Sequence, residues 1–256
     1  MARVLITGAS RGIGRATVRE LSARGHRVVA TARNPETLQD LPAEARLSLD
    51  VTDQASVDRA VAAAGPIDTL ISNAGETARG PMETIPLAEV DHLFQLNTLG
   101  ALRVTQAILP GLRARGGGRI LFLSSIVGRL TIPLSGAYTA SKWALEAIAE
   151  TLAVEAGHFG VKVAVLEPGQ VSSGALDHPR TYLADDNPYL PLAAQLAAAR
   201  RGGFITVEEV AAAIADAVER DDLPFRIPVG AAAETVLAAR SAAPPDVPFR
   251  IVPLEW

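Results

Sequence analysis

The sequence predicts an α/β fold, a mainly parallel sheet of seven strands doubly wound by helices on both faces. Three observations carry that prediction. Short apolar runs of strand length alternate with longer stretches of helical period, which is the pattern of repeated βαβ units. Several of the runs are nearly continuous in Val, Ile and Leu, as strands covered on both faces require. A glycine-rich turn stands at the first strand-to-helix junction, where open α/β sheets meet their ligands.

The elements follow in order along the chain. Val4 to Thr7 is the first strand and runs straight into the glycine turn, after which Ile13, Val18 and Leu21 form the apolar stripe of a helix over 12–24. Arg27 to Thr31 and Leu47 to Val51 are the second and third strands, with a helix near 53–64. Thr69 to Ser72 is the fourth strand and leads to a long helix over 87–114. Ile120 to Ser124, a helix over 137–158, Val161 to Leu166, a helix over 206–220 and Phe225 to Val229 complete the alternation. Two segments escape it. Residues 173–203 carry Pro, Gly, Tyr and Leu without a steady period, and a loop that long inside a compact domain is expected to be a substrate lid. Residues 242–256 contain Pro244, Pro245, Pro248 and Pro253, so an extended tail is expected, lying along the surface or a neighbouring subunit. No linker or internal repeat divides the chain, and a single domain over 1–256 is expected.

Composition narrows the function classes. The chain has 256 residues, 48% of them apolar and 20% charged, with a net charge of −4. That balance offers no general basic footprint, so neither nucleic acid nor an anionic membrane is expected as a partner. With no cysteine there are no disulfides, thiolate metal sites or thiol nucleophiles, and a reducing, cytoplasmic setting fits. No stretch holds the roughly 18 apolar residues of a spanning helix. His26, His92, His158 and His178 lack metal-ligand spacing, so no metal is expected; His178 alone falls in the lid segment.

The chemistry concentrates at strand ends. Gly8-Ala9-Ser10-Arg11-Gly12-Ile13-Gly14 lets the backbone turn tightly and approach a pyrophosphate, whose charge the free N–H groups at a helix start attract. This makes the first βα unit a Rossmann-type nucleotide site. The second strand ends in Ala30-Thr31-Ala32-Arg33, and Arg33 lies nineteen positions beyond Gly14, where a carboxylate would receive the ribose hydroxyls of NAD. An arginine there can instead pair with a 2′-phosphate, with Arg11 as a second cation, so NADP(H) is the expected coenzyme. At the other end of the site, Tyr138 and Lys142 are four apart on a helix and project from one face. A phenol is a poor base at neutral pH, and a nearby ammonium favours its ionised form. Ser125 ends the fifth strand, thirteen positions before Tyr138, where such sheets deliver residues to the crevice. Ser124 should face the other way.

With Asn73-Ala74-Gly75 after the fourth strand, these motifs make the chain resemble the short-chain dehydrogenase/reductase superfamily over about residues 3–230, in the branch of hydroxysteroid and retinol dehydrogenase-like enzymes and bacterial ketone reductases. The resemblance implies that Gly8, Ser10, Arg11, Gly12, Ile13 and Gly14 surround the phosphates and adenosine, with Asp50 and Val51 beside the adenine. Asn73, Ala74 and Gly75 then flank the adenosine ribose, and Pro168, Gly169, Val171 and Ser173 border the nicotinamide. It further implies that Tyr138 is the proton donor and acceptor, Lys142 its ribose-binding partner, Ser125 the substrate-holding hydroxyl and Asn97 the water relay to the lysine. Ser72 departs from the family, which more often has a second asparagine there. Homodimers or homotetramers pairing the helices over 97–114 and 137–158 are also implied. The expected reaction interconverts an apolar ketone or aldehyde and its alcohol. Two alternatives stand beside it, a reductase confined to carrier-bound β-ketoacyl substrates and a non-catalytic NADP(H) sensor.

Overall fold

The structure is a computed structural model that describes residues 1–172, 179–199 and 203–251. Its centre is a sheet of seven strands: β1 (Arg3–Ile6), β2 (Arg27–Ala32), β3 (Ala45–Ser48), β4 (Thr69–Ser72), β5 (Gly118–Leu123), β6 (Val161–Pro168) and β7 (Arg226–Val229). Their spatial order is β7-β6-β5-β4-β1-β2-β3, and every neighbouring pair is parallel. The order of connection reverses between β1 and β4, which opens a crevice beyond the carboxyl ends of those strands.

Strand alternation divides the core into two layers. Val4 and Ile6 of β1 face one side, where they meet Val18 and Leu21 of α1 (Gly12–Ala23) and Val210 and Ile214 of α7 (Val207–Glu219). Leu5 faces the other. There it meets Val57 of α2 (Gln54–Ala64), Val104 and Ile108 of α4 (Gly100–Ala114), and Leu145 and Leu152 of α5 (Gly136–Gly157). Leu5 is wholly buried, and its truncation to alanine would cost about 2–5 kcal/mol through lost transfer energy and the cavity left behind. Among the described residues no helix is long and apolar enough to cross a membrane.

Four sequence expectations are corrected. The third strand ends at Ser48 rather than Val51, because the Asp50 carboxylate accepts the backbone N–H and hydroxyl of Thr52 at 2.9 and 2.7 Å and closes a turn there. The long helix over 87–114 is three pieces: α3 (Leu87–Phe94), a π-helical turn over Gln95–Leu99, and α4. Such turns recur at functional positions, and Asn97 sits in this one. Within the expected lid, Leu190–Ala199 forms a helix, α6; its sequence is apolar at nearly every position, so no stripe announces it. A last helix, α8 (Ala231–Ala242), had no sequence counterpart, because it buries only a thin edge at Ala233 and Leu237. Beyond it, Phe249 and Ile251 pack against the cluster of Ile126, Val127, Leu130 and Leu237. The remainder of the expected tail, 252–256, lies outside the described residues.

Candidate active site

The crevice beyond β1, β4 and β5 is a cavity of about 770 Å³. Its floor is the glycine loop. Gly8 and Gly12 have φ of 70° and 53°, conformations open to glycine at little cost. Gly14 is required by space: a Cβ there would sit 2.3 Å from the Gly8 carbonyl oxygen and 2.6 Å from Asn73 Nδ2. No side chain caps α1, so the N–H groups of its first turn, at Gly12, Ile13 and Gly14, are left to the cavity they line. Ser10 and Arg11 line it beside them.

Asn73-Ala74-Gly75 is tied to this loop. Asn73 Nδ2 donates to the carbonyls of Thr7 and Gly8 at 2.8 and 3.2 Å, while the Thr7 hydroxyl accepts the N–H groups of Asn73 and Ala74, both at 3.0 Å. Asp50 and Val51 line the same end. Burial acts to raise the Asp50 carboxyl, but the bonds from Thr52 and the nearby Arg33 guanidinium hold it below its usual range. Arg33 itself is 72% exposed and stands 3.7 Å from Glu76 Oε1.

At the far end of the cavity Ser125, Tyr138 and Lys142 converge, with Pro168, Gly169 and Val171 as neighbouring wall. Ser125 follows β5 and caps a short 3₁₀ turn, its hydroxyl accepting the Val127 N–H at 3.4 Å. Half-buried Tyr138 is pushed up to about 12, chiefly by desolvation, with the Ser125 hydroxyl beside it acting in the opposite direction. Lys142 is buried and donates to the Leu123 carbonyl at 2.8 Å. Burial pulls its ammonium down to about 8, against the charge of Glu146. Burial thus sets the direction of the Tyr138 shift, upward from an ordinary phenol. Lys142 Nζ lies 5.9 Å from the ring centroid, and burial is the larger effect.

Asn97 lies beside the cavity rather than on its lining. It is buried; its Oδ1 accepts the Glu76 N–H at 2.9 Å, and its Nδ2 donates to the Glu76 carbonyl and to Ser141 Oγ, both at 3.0 Å. A Cβ on Gly75 would stand 3.0 Å from Asn97 Oδ1 and 3.7 Å from Lys142 Nζ, so the two side chains meet at that glycine. Ser124 is buried with its Oγ close to Gly128, yet it lines the cavity beside Ser125, so strand alternation does not take it out of the crevice. Ser173 and His178 lie outside the described residues.

The sequence missed a charged network at the cavity mouth. Arg180, on a two-residue strand paired with Ala78–Arg79, places Nη2 at 2.9 Å from both Glu76 Oε2 and Glu89 Oε1. His92 Nε2 is 3.2 Å from the same Glu76 oxygen, and Tyr182 Oη donates to Glu89 Oε2 at 2.6 Å. These partners are up to 104 residues apart, and nothing local in the chain signals them. Among the described residues no cluster of three or more potential metal ligands occurs.

The fold and the paired glycine and tyrosine–lysine ends define a nicotinamide-dependent oxidoreductase of the short-chain type. The chain belongs to the short chain dehydrogenase family, which it matches over residues 2–181. It is 34% identical to a 3-ketodihydrosphingosine reductase of Bacteroides thetaiotaomicron over 95% of this chain and 93% of that protein. A short-chain dehydrogenase from Streptomyces avermitilis superposes with a TM-score of 0.84 at 35% identity, covering 94% of this chain and 93% of the other. A short chain dehydrogenase from Burkholderia cenocepacia in complex with NADP gives 0.79 at 26% identity, with the same coverage of 94% and 93%. Members of the family bind nicotinamide coenzymes and act on the CH–OH groups of small molecules.

Proposed function

We propose that the protein is an NADP(H)-dependent oxidoreductase, one catalytic domain over 1–256, that interconverts a largely apolar ketone or aldehyde and the corresponding alcohol. The observation that carries this reading is that Ser125, Tyr138 and Lys142 open onto the same cavity as the glycine loop. The loop fits a dinucleotide, since Gly8 and Gly12 take positive φ and turn the backbone tightly along the cavity and the uncapped start of α1 favours an anion. Arg11 and Arg33 at that end of the cavity favour the 2′-phosphate of NADP(H). The NADP held by the Burkholderia relative agrees.

When bound, the coenzyme supplies a hydride to the carbonyl carbon or takes one from the alcohol carbon. The chain does the rest. Ser125 donates to the substrate oxygen and holds it, and Tyr138 gives that oxygen a proton in reduction and takes one in oxidation. Lys142 binds the ribose hydroxyls and supplies the positive field that makes the phenol a usable acid and base. Asn97 stands next to Lys142 as its relay, and Pro168, Gly169, Val171 and Ser173 wall the nicotinamide. Leu183, Leu190 and Leu192, within the lid segment, favour an apolar substrate, in keeping with the keto substrate named for the Bacteroides relative. The working unit is a homodimer or homotetramer.

The test is a panel of free ketones, aldehydes and alcohols offered with each coenzyme and followed by nicotinamide absorbance. Turnover of an apolar free ketone with NADPH preferred over NADH is expected. Activity confined to carrier-linked substrates, or coenzyme binding without any turnover, would replace this reading with the corresponding alternative.

A further inference from the structure

One helical turn beyond Lys142 the structure buries two carboxylates side by side. Glu146 follows Lys142 by four positions on α5, so the two share a face of the helix, and each is only 4% exposed. Glu167, at the end of β6, is fully buried. Arg226 of β7 places Nε 3.2 Å from Glu146 Oε2 and 3.7 Å from Glu167 Oε1, and its other arm donates to Glu150 at 2.8 Å. Arg129, after Gly128, stands 3.6 Å from Glu167 Oε2. Among the described residues neither oxygen of Glu167 has a hydrogen-bond partner, nor has Glu146 Oε1 or Ser124 Oγ. A Cβ on Gly128 would lie 2.6 Å from Ser124 Oγ and 2.9 Å from Glu146 Oε1, so the glycine is what lets this cluster close.

Two neighbouring carboxylates cannot both stay ionised at low cost away from water. Arg226 hydrogen-bonds Glu146 and not Glu167, so Glu167 is the harder of the two to ionise. Burial, then the charge of Glu146, push the Glu167 carboxyl up to about 7, against the pull of Arg129 and Arg226. Lys142 feels the remaining charge, which opposes the effect of its burial.

We propose that Glu146 is a positioning residue for the reaction. Its carboxylate, oriented by Arg226, keeps the Lys142 ammonium charged at its buried position. This rests on the reading of Tyr138 and Lys142 as the acid–base pair. The charged groups facing Glu146 are Lys142 and Glu150 on its own helix, Glu167 on β6, Arg226 on β7 and, through Glu167, Arg129.

Reduction needs the protons of Tyr138 and Lys142 in place, so activity is present at low pH and lost as pH rises through the first proton loss of the pair. Glu146→Gln should move that base limb of kcat down by about one pH unit, a loss of about tenfold well above it, with coenzyme affinity at pH 6 retained. Glu146→Asp keeps the charge and should restore most of the limb. Glu167→Gln, on β6 rather than on the helix face that carries Lys142, should move the limb by less than Glu146→Gln does. Because Glu167 is raised from 4.5 to about 7, its contribution to stability is full below the lower value and is lost as pH rises through the upper one. The Tm of Glu167→Gln should therefore gain on the parent between those values and hold the gain above them.

An unmoved limb in Glu146→Gln, an equal displacement in Glu167→Gln, or a Tm difference that does not grow with pH each overturns the proposal. If Glu146→Gln does not fold, the two Glu167→Gln readouts decide. Parent-like turnover by Tyr138→Phe would instead remove the acid–base reading itself, so the two failures are distinguishable.

Discussion

The coenzyme end and the mouth of the cavity are built by different means. At the glycine loop, Thr7, Gly8 and Asn73 follow two adjacent strands of the sheet and are pinned by hydrogen bonds that each end on a backbone carbonyl or N–H, with Gly14 packed on the Gly8 carbonyl. At the mouth, beside a two-residue backbone ribbon, Arg180, Tyr182 and Tyr189 reach Glu76, Glu89 and Glu83 across the chain through side-chain contacts. A site pinned to backbone has few alternative arrangements, whereas one held by long side chains such as the partly exposed Arg180 can rearrange contact by contact. The first region should therefore fail sharply and specifically when altered, and the second should respond in small, graded steps.

The largest effect belongs to the junction of the two regions. Tyr138→Phe keeps the ring and its packing but removes the transferable proton, so turnover should fall by about 10²–10⁴ while coenzyme affinity stays within a few-fold of the parent. Stopped-flow turnover with fluorescence titration of coenzyme measures both. Parent-like turnover would place the acid elsewhere.

Gly14→Ala tests the backbone-built end. The new Cβ would meet the Gly8 carbonyl at 2.3 Å, and a main-chain oxygen cannot swing aside as a side chain does. The loop must shift, and misplacement of this kind costs about 10²-fold in kcat/KM, read here mainly as lost coenzyme affinity. If affinity survives, the loop is softer than the contrast allows.

Arg33→Asp is expected to act next in size. It puts a negative charge where a 2′-phosphate would lie and should weaken NADP(H) by about ten- to a hundredfold, with NAD(H) little changed or improved. Isothermal titration with both coenzymes decides. An unchanged preference would leave Arg33 as the exposed partner of Glu76 and nothing more.

Legibility follows the same contrast. The seven strands, the glycine turn and the Tyr138–Lys142 spacing were readable because each is fixed by residues near one another in sequence: apolar runs, a required φ, or a shared helix face. The break of the long helix at Gln95–Leu99 was not readable, since what holds Asn97 there is Glu76 and Ser141 on other elements. Helix α8 was missed because it buries too little to print a stripe. The Glu146–Glu167 pair was hidden for a related reason. Each glutamate sits in an ordinary helix or strand pattern, and only the pairing of β5 with β6 and the packing of α5 bring them together.

The smallest expected effect probes the mouth directly. Tyr182→Phe removes the 2.6 Å bond to Glu89 but leaves Arg180 Nη2 at 2.9 Å from the other oxygen of that carboxylate, so the two-residue ribbon over Ala78–Arg79 and Arg180–Thr181 keeps one of its anchors. The buried Glu89 carboxyl loses a donor, and the tyrosine hydroxyl, which that carboxylate holds above its usual pKa, is absent. Substrate KM should then rise by about two- to tenfold, the size of one net hydrogen bond, with coenzyme affinity and kcat near those of the parent. Steady-state kinetics with the best ketone of the panel measures the split. A matching loss of coenzyme affinity would mean that the mouth and the glycine loop are one mechanical unit, and the division between a sharply failing end and a graded one would not hold.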